Sequence, residues 1–279
     1  MKKKFSLLYV VAALLALVCF GAVFGMIYNE TILPEFKYNQ ACAYVENEDY
    51  VAAYEILASL GDYKDSSRIK EEIYDRYKIS AYIDSLQIGQ LITMGEYEQD
   101  NNLNNGTEKI EWIVIGKEKG RALVVSKYAL CARTYHDTYA AVYWETSDIR
   151  QWLNEEFYAQ AFTEDERGQI INSYVPAHEF YAYATKAGNP TYDKLFLLSY
   201  VEIHEYMGDN LDRGCPATEY AKAQGLHESA DGTCRWWTRT PGGLQNRATF
   251  VQYNGGINAL GYFVDTPNYG VRPAMWIGQ

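Results

Sequence analysis

Three lysines in the first four positions precede a 23-residue run, Phe5 to Ile27, that carries no charged side chain. At ~1.5 Å of rise per helical residue, such a run crosses a hydrocarbon layer of ~30 Å. The next basic residue after it is Lys37. Positive charge is retained on the cytoplasmic side, so the sequence predicts a cytoplasmic N-terminus and an extracellular remainder beyond residue 28. The competing expectation is a cleaved signal peptide, whose apolar stretch is usually shorter, about 7–15 residues. The length favours a single-pass cell-membrane anchor over residues 1–28, with residues 5–27 in the membrane.

Charge narrows the partners. Setting aside Lys2, Lys3 and Lys4, 36 acidic side chains stand against 22 basic ones. A surface that acidic repels phosphate backbones and anionic lipid headgroups, which excludes nucleic acid as a partner.

After Pro34 the pattern turns helical. Ala41, Tyr44, Val45, then Tyr50, Ala53, Tyr54, Leu57, then Ile69, Ile73 and Tyr77 recur at three- and four-residue steps. Turn chemistry at Asn47–Asp49 and Gly61–Asp65 divides this into three short helices, with Asp65 or Ser66 capping the third. The segment 35–82 is therefore a short all-α spacer, similar to a tetratricopeptide hairpin but with about one repeat, too few for a solenoid.

Beyond residue 85 short strands take over. Leu91–Tyr97, Ile110–Ile115 and Ala122–Ser126 are rich in branched and aromatic residues. Thr146–Phe162 reads as a helix with Ile149, Trp152, Leu153 and Phe157 on one stripe. Ala217–Gln224 reads as a short helix closed by Gly225. From Cys234 onward the chain is strands and turns. Mixed strands with one long helix, not arranged as βαβ units, predict an α+β class over residues 86–279.

Chemistry-bearing motifs are sparse. His204-Glu205 begins like a zinc-protease helix, but Gly208 stands where the second histidine belongs. No serine carries the flanking glycines of a nucleophile elbow. No residue is assigned a catalytic role. Asp100, Asn102, Asn104 and Glu111 fall at positions one, three, five and twelve of a calcium-loop template, with Asn105 in place of its glycine. A hairpin turn at Asn105-Gly106 is the plainer expectation, so calcium is the only cofactor the sequence suggests. Cys215 and Cys234 bracket a short helix and are a candidate disulfide, with buried free thiols as the alternative. Trp236 and Trp237, being adjacent on a strand, point to opposite faces. Arg239 and Arg272 are either structural or anion-binding, since the guanidinium fork satisfies carbonyls, carboxylates and anions alike.

The ending "CRWWTRTPGGLQNRATFVQYNGGINALGYFVDTPNYGVRPAMWI" strongly resembles a bacterial family catalogued as domain of unknown function 6273. "ITMGEYEQDNNLNNGTEKIEWIVI", "ALVVSKYALCARTYH", "WETSDIRQWLNEEFYAQAF" and "DKLFLLS" match that family in order, so the resemblance covers about residues 86–279. At a coarser level the ending looks like C-type-lectin-like folds, which include formylglycine-generating enzymes and hypervariable bacterial ligand-binding proteins. That likeness implies a lectin-like α+β domain behind the anchor and spacer. It also implies a ligand segment between Leu244 and Asn268, where Asn246, Gln252, Asn254, Asn258 and Tyr269 supply recognition chemistry. Two functions follow as expectations. The first is a membrane-anchored extracellular recognition module for a glycan or protein ligand, and not an enzyme. The alternative is a formylglycine-generating-type enzyme acting on exported proteins; the paired reactive cysteines near the end that such enzymes use have no counterpart after Cys234.

Overall fold

A computed structural model describes residues 2–208 and 213–279. The chain divides into two compact units, residues 1–81 and 82–279.

In the first unit, α1 (Lys2–Ile27) is long and apolar enough to cross a membrane, a property shared by anchors and signal sequences. A π-helical stretch, Tyr28–Ile32, leads into α2 (Leu33–Glu46). Pro34 opens α2 directly after that stretch, and its missing N–H interrupts a hydrogen-bond ladder that otherwise runs on from α1. Next come α3 (Tyr50–Leu60), α4 (Ser66–Glu72) and α5 (Tyr74–Ser85). Asp49 caps α3 by accepting from Ala52 N at 3.3 Å. Ala41 and Ala53 are fully buried, which lets α2 and α3 approach closely, and Tyr50, Leu57 and Ile73 complete the small core. Asp65 makes no side-chain cap. Its carboxylate is taken by the Tyr38 hydroxyl and Arg68, so it ties α2 to α4.

The second unit is mixed α+β. Ile83 and Leu86 are buried in it, and Lys117 Nζ donates to Asp84 O at 2.8 Å and to Leu86 O at 2.7 Å. Its strands begin with β1 (Leu91–Tyr97), β2 (Glu108–Glu118), β3 (Arg121–Ser126) and β4 (Cys131–Arg133). A helical run follows: α6 (Asp148–Trp152), a π-helical stretch Leu153–Phe157, and α7 (Tyr158–Ala161). Ile149, Trp152, Leu153 and Phe157 all face the core, as their spacing dictates. Beyond α8 (Glu164–Gly168) lie β5 (Ser173–Val175), β6 (Thr191–Asp193), α9 (Tyr200–Tyr206) and α10 (Glu219–Ala223). The chain ends in β7 (Trp236–Pro241), β8 (Arg247–Val251), β9 (Ile257–Phe263), β10 (Tyr269–Val271) and β11 (Ala274–Gly278).

Two main sheets result. One is antiparallel in the order β1-β2-β3-β11, and the other runs β4-β10-β7-β8-β9. The last strand pairs with β3 in the register Ala274↔Val125, so the end of the chain closes the sheet that begins the domain. In the second sheet β7 lies at the centre, and all six of its residues are buried. At the edge, β9 holds Gly261 at φ +72, and a methyl there would sit 2.5 Å from Ala248 O.

Gly261 and Gly106 both have positive φ, but Gly106 faces open space. Gly106→Ala therefore pays only the left-handed backbone term, about 1 kcal/mol, whereas Gly261→Ala adds a clash with a strand carbonyl and loses about 2–4 kcal/mol. Thermal unfolding of the two variants checks this; equal losses would show that β9 lies farther from β8 than described.

Candidate functional site

The β8–β9 segment expected to carry ligand contacts forms the outer edge of the second sheet. Directly opposed residues in an antiparallel pair share a face. Trp237 opposes Phe250, and Phe250 opposes Asn258, so these three lie on one side. Tyr262, opposite Ala248, joins them through its ring contact with Tyr269. The rings form a ladder from core to surface. Trp237 stacks on Tyr269 at 4.2 Å, Phe250 meets Tyr269 edge-on at 4.8 Å, and Tyr269 stacks on Tyr262 at 5.7 Å. Trp237 is wholly buried, whereas Tyr262 is 44% exposed, so only the outer end of the ladder reaches solvent.

Polar groups lie farther along the same edge, toward the β8–β9 hairpin. Gln252 and Asn258 are half-buried beside Tyr253, and Asn254 is exposed in the hairpin turn between β8 and β9. Arg235 packs its guanidinium over the rings of Tyr253, at 4.8 Å, and Phe250, at 5.7 Å. Burial raises the pKa of Tyr269, opposed by the hydrogen bond and charge of Arg235. The result is a surface of two partly open phenol rings, three carboxamides and one cation.

The five expected ligand residues do not all meet there. Gln252, Asn254 and Asn258 gather around the hairpin. Asn246 lies in the opposite turn, beyond the other end of β8, roughly 20 Å away at ~3.4 Å per strand residue. Tyr269 is a correction. It is 3% exposed because its ring is sandwiched in the ladder, and it supports Tyr262 without presenting a face of its own. Asn254 and Asn258 also hold the backbone: Asn254 Oδ1 accepts from Gly256 N at 3.0 Å, and Asn258 Oδ1 from Gly261 N at 3.1 Å. Sequence reasoning passed over Tyr253 as a partner for Arg235. That contact spans 18 positions and depends on the bulged pairing of β7 with β8, which no local spacing reveals.

The other singled-out residues are committed to the interior. Trp236 Nε1 donates to Arg213 O at 3.1 Å, and Trp237 Nε1 to Arg133 O at 3.0 Å. Arg272, 1% exposed, stacks over Trp236 and donates to Ser126 O at 2.9 Å and Arg213 O at 3.3 Å. Arg239 forms a two-pronged pair with Glu202, with Nη2 to Oε1 at 2.7 Å, and also donates to Leu197 O at 2.8 Å. Neither guanidinium has a face open to an external anion.

The calcium template does not assemble. Glu111 lies on β2, pairs with Lys127 at 2.8 Å and is not among the carboxylates that converge. Asp100, Asn102 and Asn104 are exposed, and the carboxylates that converge are those of Glu98, Asp100 and Glu108, with oxygens within 4.8 Å of one another. Those oxygens are engaged by the loop itself. Glu98 accepts from Asn102 N, Glu108 from Gln99 N and Asp100 N, and Asp100 from Asn102 N and Asn105 Nδ2. Cys215 and Cys234 stand as two free thiols, both fully buried, rather than as a bridge.

One constellation has the look of catalysis. His178 Nδ1 lies 2.8 Å from Ser199 Oγ, which donates to Glu202 at 3.0 Å. However, Ser199 is wholly buried, and its hydroxyl accepts from Glu202 N as the cap of α9. The acid contacts the serine and Arg239, leaving the histidine without the orienting carboxylate that a nucleophilic triad requires. This is a helix cap clamped to an arginine.

The fold and this surface define an α+β domain with an aromatic and carboxamide face at one sheet edge. Residues 119–279, more than half of the chain, match the family described as Domain of unknown function (DUF6273), and the chain belongs to that family. No curated protein and no solved structure matches it.

Burial, followed by the Arg239 cation, holds His178 below the usual histidine range, with Glu202 and Glu205 opposing. Below about pH 6.5 the unfolded chain therefore takes up a proton that the folded chain refuses. Stability contributed by neutral His178 is complete above that pH and is lost as pH falls toward the depressed folded value. Urea midpoints at pH 7 and pH 5 should differ more for the native chain than for His178→Asn. An equal drop in both would show that this ring carries no part of the acid sensitivity.

Proposed function

We propose that the protein is a membrane-anchored recognition module whose second unit, on a C-type-lectin-like scaffold outside the cell, binds a glycan or protein ligand. The observation that carries the reading is the partly open end of the ring ladder at Tyr262, with Tyr253, Gln252, Asn254, Asn258 and Arg235 farther along the same β8–β9 edge. Tyrosine offers rigid contact area with little rotamer entropy to lose, and carboxamides offer both donors and acceptors. Such a mixture suits hydroxyl-rich sugars or polar peptide surfaces. The buried commitments of Arg239 and Ser199 support binding over chemistry, because the groups most like catalytic ones already satisfy one another. The lysines before α1 support an outside location for this face.

Two measurements test the reading. The detergent-solubilised full chain is probed on an array of bacterial envelope glycans and envelope proteins, alongside the double variant Gln252→Ala/Tyr262→Ala. The expected result is at least a tenfold loss of binding, with stability changed by no more than about 1 kcal/mol, since both side chains lie outside the core. Unchanged binding by a folded double variant places the ligand elsewhere. Location is tested separately with protease added to intact cells, which should digest the chain beyond residue 28. Protection until the membrane is opened contradicts the extracellular assignment.

A further inference from the structure

Cys215 and Cys234 lie on neighbouring backbone segments, joined by a hydrogen bond from Cys234 N to Cys215 O at 2.7 Å. A backbone bond of this length keeps the two α-carbons close, on the scale of the roughly 4.4–6.8 Å that a disulfide bridges. The Cys215 thiol donates to Pro216 O at 3.5 Å and Lys127 O at 3.8 Å, and its sulfur is close enough to that of Cys234 for the two to interact. Both residues are fully buried. The segment between them carries α10 and the turn Glu228–Cys234, and returns directly into β7.

The chemistry of the surroundings favours exchange. Arg272, a buried cation, acts on both sulfurs. Burial alone would raise the Cys215 thiol, but the hydrogen bond from Cys234 and the charge of Arg272 bring it below its ordinary range. Cys234 is raised, first by its contact with Cys215 and then by burial. Cys131, the other buried thiol of this unit, is pushed up to about 12 by burial and lies on β4 with no cysteine partner.

We propose that Cys215 and Cys234 form one oxidisable pair, a modification site that closes into a disulfide and staples the 215–234 segment to the root of β7. The Cys215 thiolate attacks one sulfur of a disulfide donor, the donor's S–S bond breaks, and one donor thiolate leaves. Cys234 then gives up its proton, and its thiolate displaces the second donor thiolate from Cys215. Two electrons pass to the donor, which ends as two thiols, and the chain loses two protons. Because both sulfurs are buried, the exchange takes place while the chain folds or during a local opening of the segment. An extracytoplasmic medium supplies such donors, and a reducing one leaves the pair open. The proposal does not depend on the ring-ladder face or its ligand.

The test uses the full chain in detergent micelles, with oxidised and reduced glutathione as the probe. Denatured, reduced chain is refolded in buffers of graded glutathione ratio. The folded fraction is isolated by gel filtration, quenched with acid, blocked with maleimide and digested for peptide mass spectrometry. The expected result is a linked peptide containing Cys215 and Cys234 in the oxidising buffers, with Cys42 and Cys131 recovered as blocked thiols. Fully blocked thiols, separate glutathione adducts at the two positions, or links through Cys131 or Cys42 each overturn the proposal. A second readout avoids mutation altogether. The bridged chain should melt roughly 5–10 °C above the same chain after reduction, the shift that a closed loop of this length gives a domain of this size. Identical melting of the two forms contradicts a stapling role.

Discussion

The guanidinium of Arg239, buried within a strand that is itself buried along its whole length, sets the condition that the second unit must satisfy. An uncompensated charge in that position would be costly, and removing one partner of such a pair typically loses about 3–5 kcal/mol. The structure answers with Glu202. That carboxylate also accepts from Ser199 N, so a single side chain neutralises the arginine and closes the capping box of α9. Arg239 Nη1 and Nη2 also donate to the carbonyls of Leu197 and Pro176, while Nε is buried without a partner. One charge therefore brings together a central strand, a helix start and two loops that are distant in sequence. Burial alone would raise the Glu202 pKa, yet Arg239 and Ser199 hold it lowered, so the pair stays ionised.

That anchoring bears on the outer face. With β7 fixed, Trp237 is fixed, and the stacked rings of Tyr269 and Tyr262 extend its rigidity to the edge of the sheet. Preorganised contact area is what a recognition surface gains most from, because ordering costs are then met in folding and not in binding. The opposite face of the same strand carries Trp236 over Arg272, which reaches the carbonyl of Ser126 at the end of β3. The two adjacent tryptophans thus divide the work. One joins the two main sheets, and the other supports the surface.

Much of the architecture was legible because period and turn chemistry speak locally. The strand at Leu91–Tyr97 and the buried stripe Ile149, Trp152, Leu153 and Phe157 follow from spacing alone. The site was less legible, since its geometry depends on contacts remote in sequence. Period two places Tyr269 on the ring face but says nothing of the Trp237 ring that covers it. A loop template counts Glu111 as its twelfth residue, but strand pairing aims that side chain at Lys127. Asn246 and Asn254 are close in sequence, yet they lie at opposite ends of β8. Nor does any local pattern reveal that Glu202 would meet Arg239, 37 positions away.

The central claim, a preorganised binding face at the end of the ring ladder, is tested most directly by hydroxyl-radical footprinting of the full chain with and without solubilised bacterial envelope. Tyrosine rings oxidise in proportion to their exposure, and this surface has two that are at least partly open. Tyr253 and Tyr262 become protected when envelope is added, while the exposed Tyr174 and Tyr192 pair on β5 and β6 is unchanged. Protection at that distant pair, with Tyr253 and Tyr262 still oxidised, would contradict it.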